Sequence, residues 1–266
     1  MEKIGYLGPV GSYSYLAAKT LCPNGEYLAY SSFPLVVKSL ICGETDYIVL
    51  PIENSLNGGV LQNLDILQKT ENIVAVKEKV IEIDHRLAYF DGADINKIEV
   101  IYSHEQALQQ CERYLTEHFP NSRLVACGST AASLELVESE NEACIIGAHL
   151  KRDGFKLTNE NIADERNNFT HFLLIRRGEI SNDFSSKKIF FSFTCPNVSG
   201  ALVNILNKIH DYGINMTKIE SRPVKNRPDE YSFFLEIEGN YSHEKIRNAL
   251  SDIQKYSSSF KLLGCY

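Results

Sequence analysis

The segment Pro51-Ile52-Glu53-Asn54-Ser55 sets a carboxylate, an amide and a hydroxyl in a row behind the apolar run at residues 47–50. The run reads as a buried strand. Its polar residues then fall at the strand's C-terminal end, which in open α/β sheets opens onto the ligand crevice. Gly58 and Gly59 follow and open the next helix. Such a row can hold a small polar ligand, and a capped strand-to-helix turn reads the same way. Two further segments repeat the arrangement. Gly8-Pro9-Val10-Gly11-Ser12-Tyr13-Ser14 follows a first strand, and Gly128-Ser129-Thr130-Ala131-Ala132 follows another. In each, hydroxyls meet a helix start, where free N–H groups and the helix dipole favour an anion. Three such starts suit one anionic ligand with several acceptors, and equally suit plain caps. In Asn167-Asn168-Phe169-Thr170-His171-Phe172 a hydroxyl and an imidazole sit between aromatics. A buried threonine there can hydrogen-bond or protonate a leaving group.

Other chemistries lack their residues. There is no GxGxxG turn with a ribose-binding acid, no GxSxG elbow, no HExxH and no catalytic carboxylate pair. The seven cysteines are odd in number and none stand at CxxC spacing, which points to free thiols in a reducing compartment and no structural metal. The net charge of −7 and the lack of a basic block argue against nucleic acid. No apolar run approaches membrane length and the N-terminus lacks a signal-peptide core, so a cytoplasmic protein is expected.

The elements that must position these residues alternate. Residues 3–7 read as a strand, 12–21 as a helix, 33–41 as a helix, 47–52 as a strand and about 59–68 as a helix. Residues 73–83 suit an extended crossover between two lobes. A second lobe begins near Arg86, with strands at 98–102, 123–126 and 143–146 and helices at 104–115 and 129–139. Residues 172–175 form a strand that crosses back. This is an α/β pattern with a largely parallel sheet. The polar run 181–188 reads as a linker. Beyond it, strands at 189–194, 214–222, 230–238 and 260–263 alternate with helices at 198–209 and 246–253, in the ferredoxin-like order βαββαβ, with a loop holding Pro228.

Gly5-Tyr6-Leu7-Gly8-Pro9, Pro51 to Ser55 with Gly58, Tyr102-Ser103-His104 through Cys111, Ser129-Thr130-Ala131-Ala132 and Asn168 to Phe172 resemble the prephenate dehydratase family. The C-terminal part resembles its regulatory ACT domain, through Gly200-Ala201-Leu202, Gly213 to Pro223 and the closing Leu263-Gly264-Cys265-Tyr266. The resemblance covers essentially the whole chain. It implies a type II periplasmic-binding-protein-like catalytic domain over residues 1–180, with lobes at roughly 1–82 plus 165–180 and 83–164, and an ACT domain over 187–266. It implies conversion of prephenate to phenylpyruvate, carbon dioxide and water without metal or organic cofactor. A homo-oligomer, dimer or tetramer, assembled through ACT domains is implied, with L-phenylalanine as effector. No chorismate mutase segment precedes Met1, so a monofunctional protein is expected.

By the same resemblance Thr170 is the catalytic threonine, and Asn54 and Ser55 orient the ring hydroxyl or a carboxylate. Ser12, Ser14, Ser129 and Thr130 would bind carboxylate oxygens. Gly58 and Phe172 would complete the substrate site, with Gln106 and His104 weaker candidates. Glu53 would orient a neighbour or serve as a structural acceptor. The effector would engage Gly200, Ala201, Leu202, Asn215, Met216, Glu220, Ser221 and Arg222, with Glu220 accepting its ammonium. One departure stands out: His171 replaces the family's usual arginine, which would clamp a carboxylate permanently. A histidine facing the cleft, with a reference pKa of about 6.5, would make turnover fall between about pH 6 and 8. An arogenate-preferring enzyme and a non-catalytic ACT-linked amino acid sensor are the alternatives.

Overall fold

The computed structural model describes residues 1–180, 186–224 and 230–266. In chain order the elements begin with β1 (Lys3–Leu7), α1 (Tyr13–Leu21), β2 (Glu26–Tyr30), α2 (Phe33–Cys42), β3 (Tyr47–Asn54), β4 (Gly58–Gly59), α3 (Leu61–Lys69) and β5 (Ile73–Glu82). Next come β6 (His85–Phe90), β7 (Val100–His104), α4 (Glu105–Gln110), α5 (Glu112–His118), β8 (Arg123–Cys127), β9 (Glu142–Gly147), β10 (Phe155–Leu157) and β11 (Phe169–Arg177). The last are β12 (Lys188–Thr194), α6 (Ala201–Asp211), β13 (Met216–Pro223), β14 (Tyr231–Glu238), α7 (Glu244–Tyr256) and β15 (Ser259–Cys265). Residues 181–185 of the expected linker and the loop around Pro228 lie outside the described residues.

The fold is mixed α/β with two sheets. In the first, β2, β1 and β3 run parallel, β11 pairs antiparallel to β3, and β5 pairs antiparallel to β11. The second repeats this plan: β8, β7 and β9 are parallel, and β6 and β10 add antiparallel. β5 leads the chain from the first sheet into the second and β11 brings it back. The strand ends of both sheets thus meet at the crossovers.

The C-terminal elements form four antiparallel strands in the order β13-β14-β12-β15, with α6 and α7 packed together on one face. This array is not separate. β15 pairs parallel to β5, joining both into one ten-stranded sheet. Gly264 opposite Ala75 makes the junction, because a Cβ at Gly264 would lie 2.5 Å from the Ala75 Cβ and 2.7 Å from its carbonyl oxygen. One core cluster is shared: Phe190, Phe234 and Leu263 pack with Leu50, Ile73 and Leu173. Lys261 reaches from β15 to donate to the carbonyls of Leu67, Gln68 and Thr70 at 2.9, 3.1 and 2.6 Å, capping the C-terminus of α3.

The structure corrects several local expectations. Residues 129–139 form a turn and a short 3₁₀ segment (Ala132–Leu136) rather than an α-helix. The expected helix at 104–115 breaks at Cys111 into α4 and α5. Gly58 and Gly59 do not open α3; they form β4, which folds back on Glu53 and Asn54. Pro51 to Asn54 belong to β3 itself, so the polar row lies within a paired strand instead of in a turn after it.

Candidate active site

A cleft of about 300 Å³ opens between the two sheets. From the first sheet it takes Ser12, Tyr13 and Ser14 at the start of α1, Pro51 and Asn54 of β3, and Asn168, Thr170 and Phe172 around β11. From the second it takes His85, His104, Gln106, Gln110, Ser129 and Thr130. A larger, more polar pocket of about 550 Å³ lies elsewhere on the second lobe, lined by Arg113, Glu117 and Lys156 among others, and no residue of the motif segments lines it.

Asn54 and Thr170 are directly paired in the register of β3 and β11. Asn54 Nδ2 donates to Thr170 Oγ1 at 3.0 Å and to Asn168 Oδ1 at 2.6 Å. Asn54 Oδ1 accepts from the N–H groups of Leu56 and Asn57, both at 3.1 Å, which fixes the amide's orientation. Thr170, 9% exposed, accepts from Asn54 and keeps its own O–H for another partner. A bulge between His171 and Phe172 pairs Phe172 with Pro51 and leaves Ile52 over. Leu50 and Ile52 therefore stay in the core while Pro51 and Asn54 both reach the cleft, an aim that strict alternation would not give.

The hydroxyls fall where the sequence places them. Ser12 caps α1, accepting from the Tyr15 N–H at 3.2 Å and donating to the Leu7 carbonyl at 2.9 Å. The first N–H groups of α1 remain available beyond this cap. Ser14 is buried in the cleft wall beside it. Ser129 accepts from the Ala132 N–H at 3.0 Å, and Thr130 and Gln106 line the second lobe's side. Among the described residues lining the cleft there is no lysine or arginine.

Four of the expected residues are not among those that line the cleft. Ser55 donates to the Asn167 carbonyl and accepts from the Phe169 N–H, both at 2.9 Å, so it pins the entry to β11 instead of facing the cleft. Gly58 sits in the exposed β4 turn with φ +73, a conformation that favours glycine. Glu53 points to the opposite face of β3 and accepts from Lys218 Nζ at 2.9 Å, the structural-acceptor role. His171 also leaves the cleft: strand alternation puts it behind Thr170, where Nδ1 lies 2.8 Å from Glu78 Oε1. The expected carboxylate clamp at this position, and the pH profile built on it, fall with that geometry. Burial pushes the Glu78 carboxyl up, but the bonds from His171 and Lys188 and the Lys188 charge outweigh it, and the net shift is downward.

The expected effector residues divide between two faces of the C-terminal sheet. Gly200 is the N-cap of α6 in left-handed conformation (φ +82), with Ala201 and Leu202 in the first turn and no side chain capping it. Arg222 instead faces the first lobe and pairs with Asp65 of α3 at 3.2 Å. The Glu220 carboxylate lies against Gly59, about 3.5 Å from where a Cβ there would stand. Asn215 and Ser221 are exposed, and Met216 packs under α6 and α7. One chain does not bring all eight together.

Sequence reasoning missed Tyr13, His85, Gln110 and Asn168. His85, 3% exposed, pairs through Nε2 with Gln110 Oε1 at 2.9 Å. Burial lowers its pKa against the opposing effects of Gln110 and Asp84. Tyr13 bridges the lobes, donating to the Asp84 carbonyl at 2.9 Å and lying with its ring 4.8 Å from that of His149 at a tilt of 57°, and burial raises its pKa. A lone histidine ahead of an apolar run gives no periodic signal. Asn168 had one, its place two residues before Thr170.

A family model described as prephenate dehydratase matches residues 4–180, well over half of the chain. The prephenate dehydratase of Amycolatopsis methanolica is 30% identical over 271 residues, covering 100% of this chain and 88% of its own. Among solved structures, the prephenate dehydratase of Arthrobacter aurescens in complex with L-Phe superposes with a TM-score of 0.85 at 27% identity, over 99% of this chain and 89% of that one. The prephenate dehydratase of Staphylococcus aureus gives 0.86 at 26% identity, with all of both chains covered.

Proposed function

The chain belongs to the prephenate dehydratase family, and from that premise we propose how its cleft dehydrates and decarboxylates prephenate to phenylpyruvate. The ring carboxylate leaves as carbon dioxide. Its bonding pair enters the ring, the ring becomes aromatic, and the C4 hydroxyl departs and takes up one proton as water. Aromatisation supplies the driving force. The protein must fix a dianion and assist the leaving hydroxyl.

The observation that carries the reading is the Asn54–Thr170 pair. Because Asn54 donates to Thr170 Oγ1, the threonine proton points away from Asn54 and is free for the departing hydroxyl. We assign Thr170 to that role and Asn54 to orienting it. The first turn of α1, Ser12, Ser14, Ser129, Thr130 and Gln106 offer neutral donors to the two carboxylates. A cleft wall without a guanidinium suits this chemistry. A tight cationic clamp on the departing carboxylate would stabilise the ground state that the reaction has to leave. Phe172 supplies an apolar surface for the ring.

In this reading residues 1–180 are the two-lobed, type II periplasmic-binding-protein-like catalytic unit and residues 187–266 an ACT unit. The ferredoxin-like strand order of the latter supports that assignment. L-phenylalanine, present in the Arthrobacter aurescens structure, is the proposed effector. The free α6 terminus at Gly200 takes its carboxylate. The division of the effector residues between two faces favours a site completed by a second copy of the chain, with Glu220 and Arg222 serving within the chain to dock β13 on the first lobe.

The test is direct. Purified chain is mixed with prephenate, and phenylpyruvate is followed by its absorbance in alkali. Turnover is expected with prephenate, and no product at any enzyme concentration would refute the reading. A parallel reaction with arogenate, whose product is phenylalanine and is measured as that amino acid, reads the substrate preference.

A further inference from the structure

Each member of the reactive pair has a neighbour tied to the C-terminal unit. On the cleft face of the sheet, Asn54 stands opposite Thr170; on the other face, Glu53 stands opposite His171. Glu53 accepts from Lys218 of β13 at 2.9 Å, and the Lys218 side chain is only 7% exposed. His171 bonds Glu78, whose other oxygen accepts from Lys188 of β12 at 2.8 Å, and Lys188 also meets Glu236 at 3.1 Å. One lysine of the C-terminal unit thus bonds β3 directly behind Asn54, and a second reaches β11 behind Thr170 only through Glu78 of β5.

We propose that Lys218 is a positioning residue for the dehydratase reaction: through Glu53 it holds the end of β3 so that Asn54 meets Thr170 at hydrogen-bond distance. The proposal rests on the reading of the cleft as the dehydratase site. The docking of the C-terminal unit does not depend on this contact. The β15–β5 junction, the shared core and the Lys261 cap on α3 hold it elsewhere. A buried lysine at a position where docking is already secured has its consequence at the cleft, one residue away. β13 belongs to the unit whose α6 terminus is the proposed effector site, so a shift of that strand on effector binding reaches Asn54 through Lys218 and Glu53. Coupling of this kind needs two arrangements of one contact, and the ion pair supplies made and broken states.

The experiment is steady-state kinetics with prephenate on the full chain. Misplacement of a reacting group by about 1 Å costs up to about 10²-fold. Lys218→Met is expected to lower kcat about tenfold with KM within about twofold. Lys218→Arg restores most of the rate. The double variant Glu53→Gln/Lys218→Met is no slower than the worse single variant, because both act through one contact. Lys261→Met, which removes a docking contact far from the cleft, lowers Tm and leaves kcat in place. Wild-type kcat in Lys218→Met, additive losses in the double variant, or an equal kcat loss in Lys261→Met would each overturn the proposal. A wild-type chain that makes no phenylpyruvate overturns the reading beneath it, and the proposal with it.

Discussion

Asn54 Nδ2 lies 3.0 Å from Thr170 Oγ1, joining residues 116 positions apart at the meeting of β3 and β11. This bond sets which way the threonine proton points. Replacing Thr170 by valine keeps the shape and removes the proton. We expect kcat to fall about 10²–10⁴-fold, the range for loss of a proton-transfer group. Tm should hardly move, because Asn54 Nδ2 keeps Asn168 Oδ1 and the Phe169 carbonyl as acceptors. Thr170→Ser should retain most activity. A valine variant with wild-type kcat would remove Thr170 from the mechanism.

Ser55 separates contact from support. Its hydroxyl bonds only to the Asn167–Phe169 backbone among the described residues. Ser55→Ala should therefore lower kcat, by about tenfold, through looser placement of Thr170. KM should stay within about twofold. A rise in KM with kcat intact would mean that Ser55 touches substrate after all.

Glu78 gives a pH dependence with a definite sign. Its folded pKa lies below the ordinary value of 4.5. The unfolded chain therefore takes up the proton first as acid is added. The stabilisation is complete above about pH 4.5 and is lost as pH falls through the lowered folded value. Glu78→Gln should cost about 1–3 kcal/mol near neutrality. The Tm gap between the two proteins should be constant from about pH 6 to 8 and close below about pH 4. A gap that persists in strong acid would show that the carboxylate charge is not what stabilises the strands.

Gly264 governs the seam between the two units. A methyl group there meets the Ala75 Cβ and carbonyl oxygen at distances no real Cβ adopts. Gly264→Ala should therefore cost about 1–3 kcal/mol by overpacking, seen as a Tm lowered by several degrees in scanning calorimetry. An unchanged Tm would mean that the β15–β5 pairing does not carry stability.

Much of this was readable from residue order. Apolar runs ending in polar clusters located the hydroxyl-bearing turns at Ser12 and Ser129 and the end of β3 at Asn54, because a strand that is buried on both sides must end before its chain can meet water. Helical spacing found α2, α6 and α7, and the βαββαβ order of the last third followed from periodicity alone. The motifs carried the family. What they did not carry was side-chain direction within them. Thr170 and His171 are adjacent in one motif, and so are Glu53 and Asn54. A strand sends neighbours to opposite faces, and the bulge at Ile52 decides which face is which. Only the pairing of β3 with β11 turned Asn54 and Thr170 to the cleft and gave Glu53 and His171 to Lys218 and Glu78. The sequence determined which groups are present and on which elements they stand. The tertiary structure decided which of them face the substrate, because that depends on strand register, and register is set by partners far away in the chain.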